Sequence, residues 1–183
     1  GVASTKAFTA QLTALISFAV ALAEAKGQIS VERSDEIHAA IQRLPSMVGR
    51  TLGLFDDIRP LAHSLTAARS ALYLGRDVLF PVALEGALKL KELSYIHAEG
   101  FASGEMKHGP IALIEEGLPV VALLAADEVM GKAASNLQEA AARGGRIILI
   151  TEERAASTVD FAESVITAPN VDPLLTPVLL TVP

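Results

Sequence analysis

Residues 71–96 read ALYLGRDVLFPVALEGALKLKELSYI, and this stretch decides the fold. Residues 71–74 form a short apolar run that ends at Gly75, which is typical of a buried strand. A helix is predicted over about residues 82–96, with Pro81 in its first turn, where the missing N–H of proline costs nothing. A strand that leads directly into a helix is the unit from which parallel sheets are built.

The same alternation continues towards the end of the chain. Apolar runs predict further strands at residues 120–124, 146–151 and 164–167, and a helix at 131–143 precedes the second of these runs. Strands that alternate with helices of this length specify a parallel sheet with helices on both faces. We therefore expect an α/β fold for the part of the chain that begins near residue 61.

The first part of the chain is predicted to be a helical extension without a strand. One helix is expected over residues 6–26, and a second begins at Ser34 and ends at Pro45. A short third helix is expected at 47–55, followed by a connector at 56–60 and a further helix at 61–69. Ser4 or Thr5 precedes the first helix, either as a simple cap or as part of an anion-binding loop.

Composition excludes several classes of function. The chain has 183 residues and a net charge of −6. It contains no basic stretch interleaved with aromatic residues, which argues against a nucleic-acid partner. Cysteine is absent and the four histidines are scattered, so neither a disulfide framework nor a zinc site is expected. No dinucleotide fingerprint or P-loop occurs. We expect no metal and no cofactor.

The most apolar stretch, residues 12–25, is interrupted by Thr13, Ser17 and Glu24. We predict that it is too short and too polar to span a membrane. The chain does not open on a secretory signal. A cytoplasmic protein without a membrane partner is therefore expected.

The predicted helix at 82–96 carries three charges on one face. Glu85, Lys89 and Glu92 stand at i, i+4 and i+7, about one turn apart. Apolar residues cover much of the rest, so we expect the helix to be largely buried and the charges to need one another or a polar ligand. An ordinary helix pair explains Glu85 and Lys89 equally well, but Glu92 has Ile96 at its i+4 position and no cation there. An irregular loop with His108 is expected to follow.

Three segments together carry a resemblance to a known family. Residues 1–12 (GVASTKAFTAQL), 83–101 (ALEGALKLKELSYIHAEGF) and 103–114 (SGEMKHGPIALI) resemble the isomerase part of glutamine–fructose-6-phosphate aminotransferases. Residues 143–151 and 173–183 fit as well. The resemblance implies the sugar isomerase (SIS) fold, a nested, flavodoxin-like parallel sheet. Residues 1–58 would then end a first SIS domain and link it to a second one, truncated, at 59–183.

The resemblance also implies a reaction and roles for particular residues. The family's isomerase part converts fructose 6-phosphate and ammonia to glucosamine 6-phosphate. Glu92 would be the base that moves a proton between C1 and C2 of the sugar, and His108 would assist opening of the sugar ring. Lys89 and Glu85 would contact sugar hydroxyls and tune Glu92. These roles agree with the residues themselves, since an aldose–ketose shift needs a positioned base and a group that exchanges protons near neutral pH.

The resemblance also implies functional residues outside the helix at 82–96, and domains of the family enzyme that this sequence does not contain. Val2 and Ser4 would line the sugar site, and the family's histidine acts across a dimer interface, which implies a homodimer. A glutaminase domain, a Ser/Thr-rich phosphate loop and a Schiff-base lysine belong to parts of the family enzyme that this sequence lacks. Both ends look cut, so a fragment that is inactive alone is expected.

Two other functions remain open at the level of the sequence. One is a stand-alone SIS isomerase or deaminase that acts on sugar phosphates without a glutaminase domain. The other is a non-catalytic SIS domain that senses a sugar phosphate, although a sensor has no need of a tuned base such as Glu92. A purely structural module would not explain the row of charges.

Overall fold

The computed structural model describes residues 3–183, in which five strands form one parallel sheet. Their order across the sheet is β2-β1-β3-β4-β5, and every neighbouring pair is parallel. The strands are β1 (Ser70–Gly75), β2 (His97–Ala102), β3 (Pro119–Leu124), β4 (Arg146–Glu152) and β5 (Ser164–Ala168). The four strands predicted from apolar runs are thereby confirmed, each within a residue or two.

Strand β2 was not predicted, because its sequence, HAEGFA, lacks an apolar run. The whole segment falls in the irregular loop that is predicted after the helix at 82–96. It lies at the edge of the sheet and pairs with β1 alone, from Ser70 opposite His97 to Gly75 opposite Ala102. Edge strands of natural sheets are often short and carry charged side chains, so an apolar run is not required of them. Tertiary pairing has therefore overridden weak local preference.

Six α-helices accompany the sheet in the described part of the chain. They are α1 (Thr5–Ala25), α2 (Val31–Leu52), α3 (Phe55–Ser64), α4 (Phe80–Ser94), α5 (Met130–Ala141) and α6 (Thr176–Leu179). The predicted bounds of α1 and α5 are confirmed to within about two residues. Helix α4 ends at Ser94, since Tyr95 adopts a left-handed conformation with φ of 63°.

The predicted breaks in the N-terminal region are wrong. Helix α2 begins after Ser30, whose side chain accepts a hydrogen bond from the Arg33 N–H, and it continues through Pro45 to Leu52. Helix α3 likewise contains Pro60 in the segment expected to be a connector. Proline removes one helical hydrogen bond. Burial of one apolar face of α2, including Ile37 and Leu44, explains why that helix tolerates the loss.

The core lies on both faces of the sheet. Alternate residues of the central strands, such as Val120 and Leu149, pack with Leu137 of α5 on one face. Their neighbours, such as Val121 and Ile150, face the opposite cluster that includes Ala83 of α4 and residues of α2, α3 and α6. This alternation is what period-two side-chain directions produce in a sheet covered on both sides. The predicted parallel sheet flanked by helices is confirmed.

Helix α1 packs on α2 and α6 through Leu12 and Ile16. Only Val20 of the helix is buried, while Leu15 and Phe18 are exposed. The helix is 21 residues long, so the expectation that this stretch is too short for a membrane span is wrong on length. By length and composition alone α1 could cross a membrane, but core helices of soluble proteins and signal sequences meet the same criterion. The cytoplasmic location stays a prediction.

A two-pronged ion pair ties α2 to the segment after β5. The Nη1 and Nη2 atoms of Arg33 lie 2.6 and 2.9 Å from the two carboxylate oxygens of Asp172. The hydrogen bonds from Arg33 hold the pKa of Asp172 below its ordinary value of 3.8, and they raise the pKa of Arg33. The pair therefore favours the folded state only while Asp172 is ionised.

The Asp172 pair is expected to make stability depend on acid pH. Because the folded-state pKa is depressed, the stabilisation is complete above the unfolded pKa near 3.8 and is lost as the pH falls through the lower folded value. Asp172→Asn should therefore lower the free energy of unfolding at pH 7 and have a shrinking effect below pH ~4. Urea denaturation at several pH values measures this, with the exposed Asp160→Asn as the control. A difference that stays constant from pH 7 to the acid limit would contradict it.

Candidate active site

Helix α4 carries the predicted charges and lies close to the sheet. A Cβ atom added to Gly86 would stand 2.7 Å from the ring of Tyr73 in β1. One added to Gly100 in β2 would stand 2.9 Å from the backbone N and Cα of Leu84. Non-bonded contacts of a Cβ atom below 3.0 Å essentially never occur in proteins. The two glycines therefore set how closely α4 approaches β1 and β2, and with it the position of the charges.

Gly100→Ala is expected to push α4 away from β2, because the contact is with helix backbone and no side chain can rotate aside. The expected loss in the free energy of unfolding is about 1–3 kcal/mol, as for other overpacked sites. Gly49→Ala is the control, since a Cβ atom there meets nothing within 4 Å. Because Gly49 lies inside α2, that change should be neutral or slightly stabilising. Equal effects in urea denaturation would contradict the packing argument.

The three charges on α4 meet as their spacing predicted. The Lys89 Nζ atom lies 2.5 Å from a carboxylate oxygen of Glu85 and 4.0 Å from one of Glu92. Lys89 therefore pairs mainly with Glu85, and Glu92 stands at the limit of an ion pair. Glu92 is therefore the acidic group of the row that Lys89 engages least.

The expectation that α4 is largely buried is wrong. Its buried residues are the small or medium-sized Val82, Ala83 and Ala87, while larger side chains such as Leu88 and Leu93 are exposed. A helix that approaches a sheet closely can present only small residues to it. The charges lie between these faces, with side chains 18% exposed for Glu85, 21% for Lys89 and 35% for Glu92. They are consequently accessible to a ligand.

His108 lies on a separate element, a 3₁₀ helix at Ser103–His108. This segment was expected to be an irregular loop, and it is followed by Gly109 with a φ of 145°. The His108 Nδ1 atom lies 2.7 Å from a carboxylate oxygen of Glu105, and its side chain is 72% exposed. Within residues 3–183, no hydrogen bond or ion pair joins His108 to Glu85, Lys89 or Glu92. The chain therefore does not by itself unite the predicted base with the predicted ring-opening group.

The predicted sugar-lining residues are at the start of the chain. Ser4 is the N-cap residue of α1 with a left-handed φ of 53°, and its side chain makes no capping hydrogen bond. The interpretation of Ser4 as a side-chain cap is therefore wrong, and only its carbonyl oxygen accepts, from the Phe8 N–H. Val2 lies outside the described residues. Residues 3–183 contain no group of three or more acidic or histidine side chains placed to hold a metal ion.

One buried charge escaped the sequence analysis. Glu152 ends β4, is 0% exposed, and accepts hydrogen bonds from Arg154, from the Thr176 hydroxyl and from the Ala126 N–H. The available signal was an acidic residue placed directly after the apolar run RIILIT. Its partners hold the end of β4, the segment after β3 and α6 together. Glu152 is thus part of the scaffold around the sheet.

A parallel sheet in the order β2-β1-β3-β4-β5, with helices on both faces, places the chain in the flavodoxin-like class of α/β proteins. The model of the SIS domain family matches residues 64–179. The chain therefore belongs to the SIS domain family.

Several relatives are similar over the whole chain. A glutamine–fructose-6-phosphate aminotransferase (isomerising) of Brucella abortus is 48% identical over 184 residues, and that of Haemophilus influenzae is 44% identical over 183. The match takes in 100% of this chain but 30% of either relative. The C-terminal domain of the Francisella tularensis aminotransferase has a TM-score of 0.96 and 39% identity, and the match covers 100% of this chain and 52% of that one.

Proposed function

We propose that this chain is the isomerase part of an enzyme that makes glucosamine 6-phosphate from fructose 6-phosphate and glutamine-derived ammonia. The observation that carries the proposal is the position of Glu92 on α4, where its carboxylate is partly accessible and lies 4.0 Å from the Lys89 Nζ atom. The chain that carries this residue is 48% identical to aminotransferases that are named for this reaction. A merely structural helix pair would need only Glu85 and Lys89.

The chemistry follows from moving one proton between adjacent carbons. In the open-chain sugar, ammonia condenses with the C2 ketone to an imine and water leaves. Glu92 then takes a proton from C1 and returns one to C2, while the C1 hydroxyl loses its proton and the imine nitrogen gains one, which gives the C1 aldehyde and the C2 amine. Lys89 stands between Glu92 and Glu85, where its ammonium group can donate a hydrogen bond to a sugar hydroxyl. His108 exchanges protons with the sugar ring during opening. None of these steps requires a metal or a redox cofactor.

The whole protein would have to supply what this chain lacks. The chain spans about 30% of the length of the curated relatives, and we infer that a glutaminase domain and a first SIS domain accompany it. We also infer a homodimer, in which His108 of one protomer serves the α4 site of its partner. Within residues 3–183, the lack of any hydrogen bond or ion pair between His108 and the α4 charges supports this arrangement. The 183-residue chain alone is expected to form no glucosamine 6-phosphate.

The test uses the intact protein that carries this chain. Fructose 6-phosphate is supplied with glutamine, and glucosamine 6-phosphate is measured, with Glu92→Gln as the comparison. Product from glutamine that disappears in the variant supports the proposal. Product from free ammonia alone, or glucose 6-phosphate alone, would contradict the glutamine-dependent reaction. Sugar-phosphate binding without any turnover would contradict an enzyme and favour a sensor.

A further inference from the structure

The 3₁₀ helix at Ser103–His108 is fixed to the body of the protein on one side. Met106 is fully buried in the core beside α5. The Lys107 Nζ atom lies 2.8 Å from a carboxylate oxygen of Glu139 in α5. The guanidinium of Arg76 lies so close over Gly104 that an added Cβ would stand 2.6 Å from its Nη1 atom. These contacts hold the backbone of the segment in one place.

The other side of the segment presents two ionisable side chains to solvent. Glu105 and His108 are three residues apart, and in a 3₁₀ helix, with three residues per turn, side chains at i and i+3 are eclipsed. The helix type thus brings the carboxylate over the imidazole and explains the 2.7 Å distance between Glu105 Oε2 and His108 Nδ1. In an α-helix, side chains at i and i+3 are offset by about 60° around the axis, although they too can form ion pairs.

This contact determines which nitrogen of His108 is free. A carboxylate can only accept, so Nδ1 of the neutral imidazole must carry the hydrogen and donate it to Glu105. The Nε2 atom is then the acceptor, and within residues 3–183 it makes no hydrogen bond. The ring is 72% exposed, so Nε2 faces outward from a firmly held segment. Lys107, the other ionisable group on the segment, is turned away towards Glu139.

We infer that Glu105 is a positioning residue that holds His108 in the tautomer with a proton-accepting Nε2 for opening of the sugar ring. The inference rests on the proposed function. In this step Nε2 takes the proton of the anomeric hydroxyl and delivers it to the ring oxygen. The anomeric O–H bond and the ring C–O bond break, while the carbonyl C=O bond and a new O–H bond form. Atoms and charge balance without a further reactant.

The test compares two substrates in the intact protein. The furanose ring of fructose 6-phosphate must open before the sugar can react. The 5-deoxy ketose 6-phosphate has no hydroxyl with which to close such a ring, so it needs no opening step. Glu105→Ala should lower kcat/KM for fructose 6-phosphate by about 10- to 100-fold, since part of the acid–base contribution is lost. The same variant should leave kcat/KM for the 5-deoxy compound nearly unchanged. A defect in folding would lower both.

Matched variants make the result decisive. Glu105→Gln keeps an oxygen that can accept from Nδ1, so it should recover most of the activity on fructose 6-phosphate, and Glu115→Ala, an exposed acidic residue nearby, should have no effect. His108→Ala should show the same substrate selectivity as Glu105→Ala. Full activity of Glu105→Ala on fructose 6-phosphate would overturn the inference. The proposed function would still stand if Glu92→Gln were inactive on both substrates, and it would fail if the unmodified protein turned over neither.

Discussion

Glu92→Gln in the intact protein is expected to lower kcat for glucosamine 6-phosphate formation by about 10²- to 10⁴-fold, the usual contribution of a positioned general base. The amide has the shape of the carboxylate and can still hydrogen-bond a sugar hydroxyl, but it cannot accept a carbon-bound proton. The Lys89–Glu85 contact at 2.5 Å does not involve Glu92 and should survive. Binding of fructose 6-phosphate, measured by calorimetry, should therefore change little while turnover collapses.

The neighbouring charges supply the comparison for Glu92. Glu85→Gln removes the main partner of Lys89, so it should alter KM and kcat more moderately than the loss of the base itself. Glu115→Gln, on an exposed loop, should behave like the unmodified protein. Comparable losses in the Glu92 and Glu85 variants would argue that the row acts as one electrostatic unit and that Glu92 has no special role. Full activity of Glu92→Gln would contradict the assignment of Glu92 as the general base.

The sequence predicts the charge row well because its geometry is local. Residues at i, i+4 and i+7 of any α-helix share a face, and the ion pair between Glu85 and Lys89 follows directly from that spacing. The prediction that the helix is buried is wrong because its larger apolar side chains, Leu84, Leu88 and Leu93, do not face the core. Because α4 approaches β1 and β2 closely, the face of the helix towards the sheet carries small residues such as Ala83, Gly86 and Ala87.

The features that escaped prediction depend on contacts between distant parts of the chain. Strand β2 forms because β1 offers it a pairing edge, although its own sequence contains no apolar run. Helix α2 runs through Pro45 because its apolar face packs on α6, more than a hundred residues further along. The His108–Glu105 contact lies in a 3₁₀ helix, although the surrounding glycines predict an irregular loop. These features depend on contacts between segments that are distant in the sequence, so local sequence patterns cannot predict them.

Removal of the Glu152 side chain is expected to be the most destabilising change outside the catalytic row. The Glu152 carboxylate is fully buried and accepts from Arg154 Nη2 at 2.9 Å, Thr176 Oγ1 at 3.0 Å and the Ala126 N–H at 3.3 Å. Glu152→Ala would remove the acceptor that these donors share and open a cavity. Because Arg154 is 37% exposed and can turn towards water, the expected loss is about 3 kcal/mol, the lower end for a broken buried pair.

The adjacent residue provides a matched control for Glu152 in urea denaturation. Glu153 is half exposed and pairs with Arg50 at 3.3 Å, so Glu153→Ala should change the free energy of unfolding by less than about 1 kcal/mol. Glu152→Gln keeps the volume but places an amide N–H₂ among donors, and an intermediate loss is expected. Combining Glu152→Ala with Thr176→Val should cost less than the sum of the two single changes, because they share one hydrogen bond. Strict additivity, or equal effects of Glu152→Ala and Glu153→Ala, would show that the buried network does not hold α6 to the sheet.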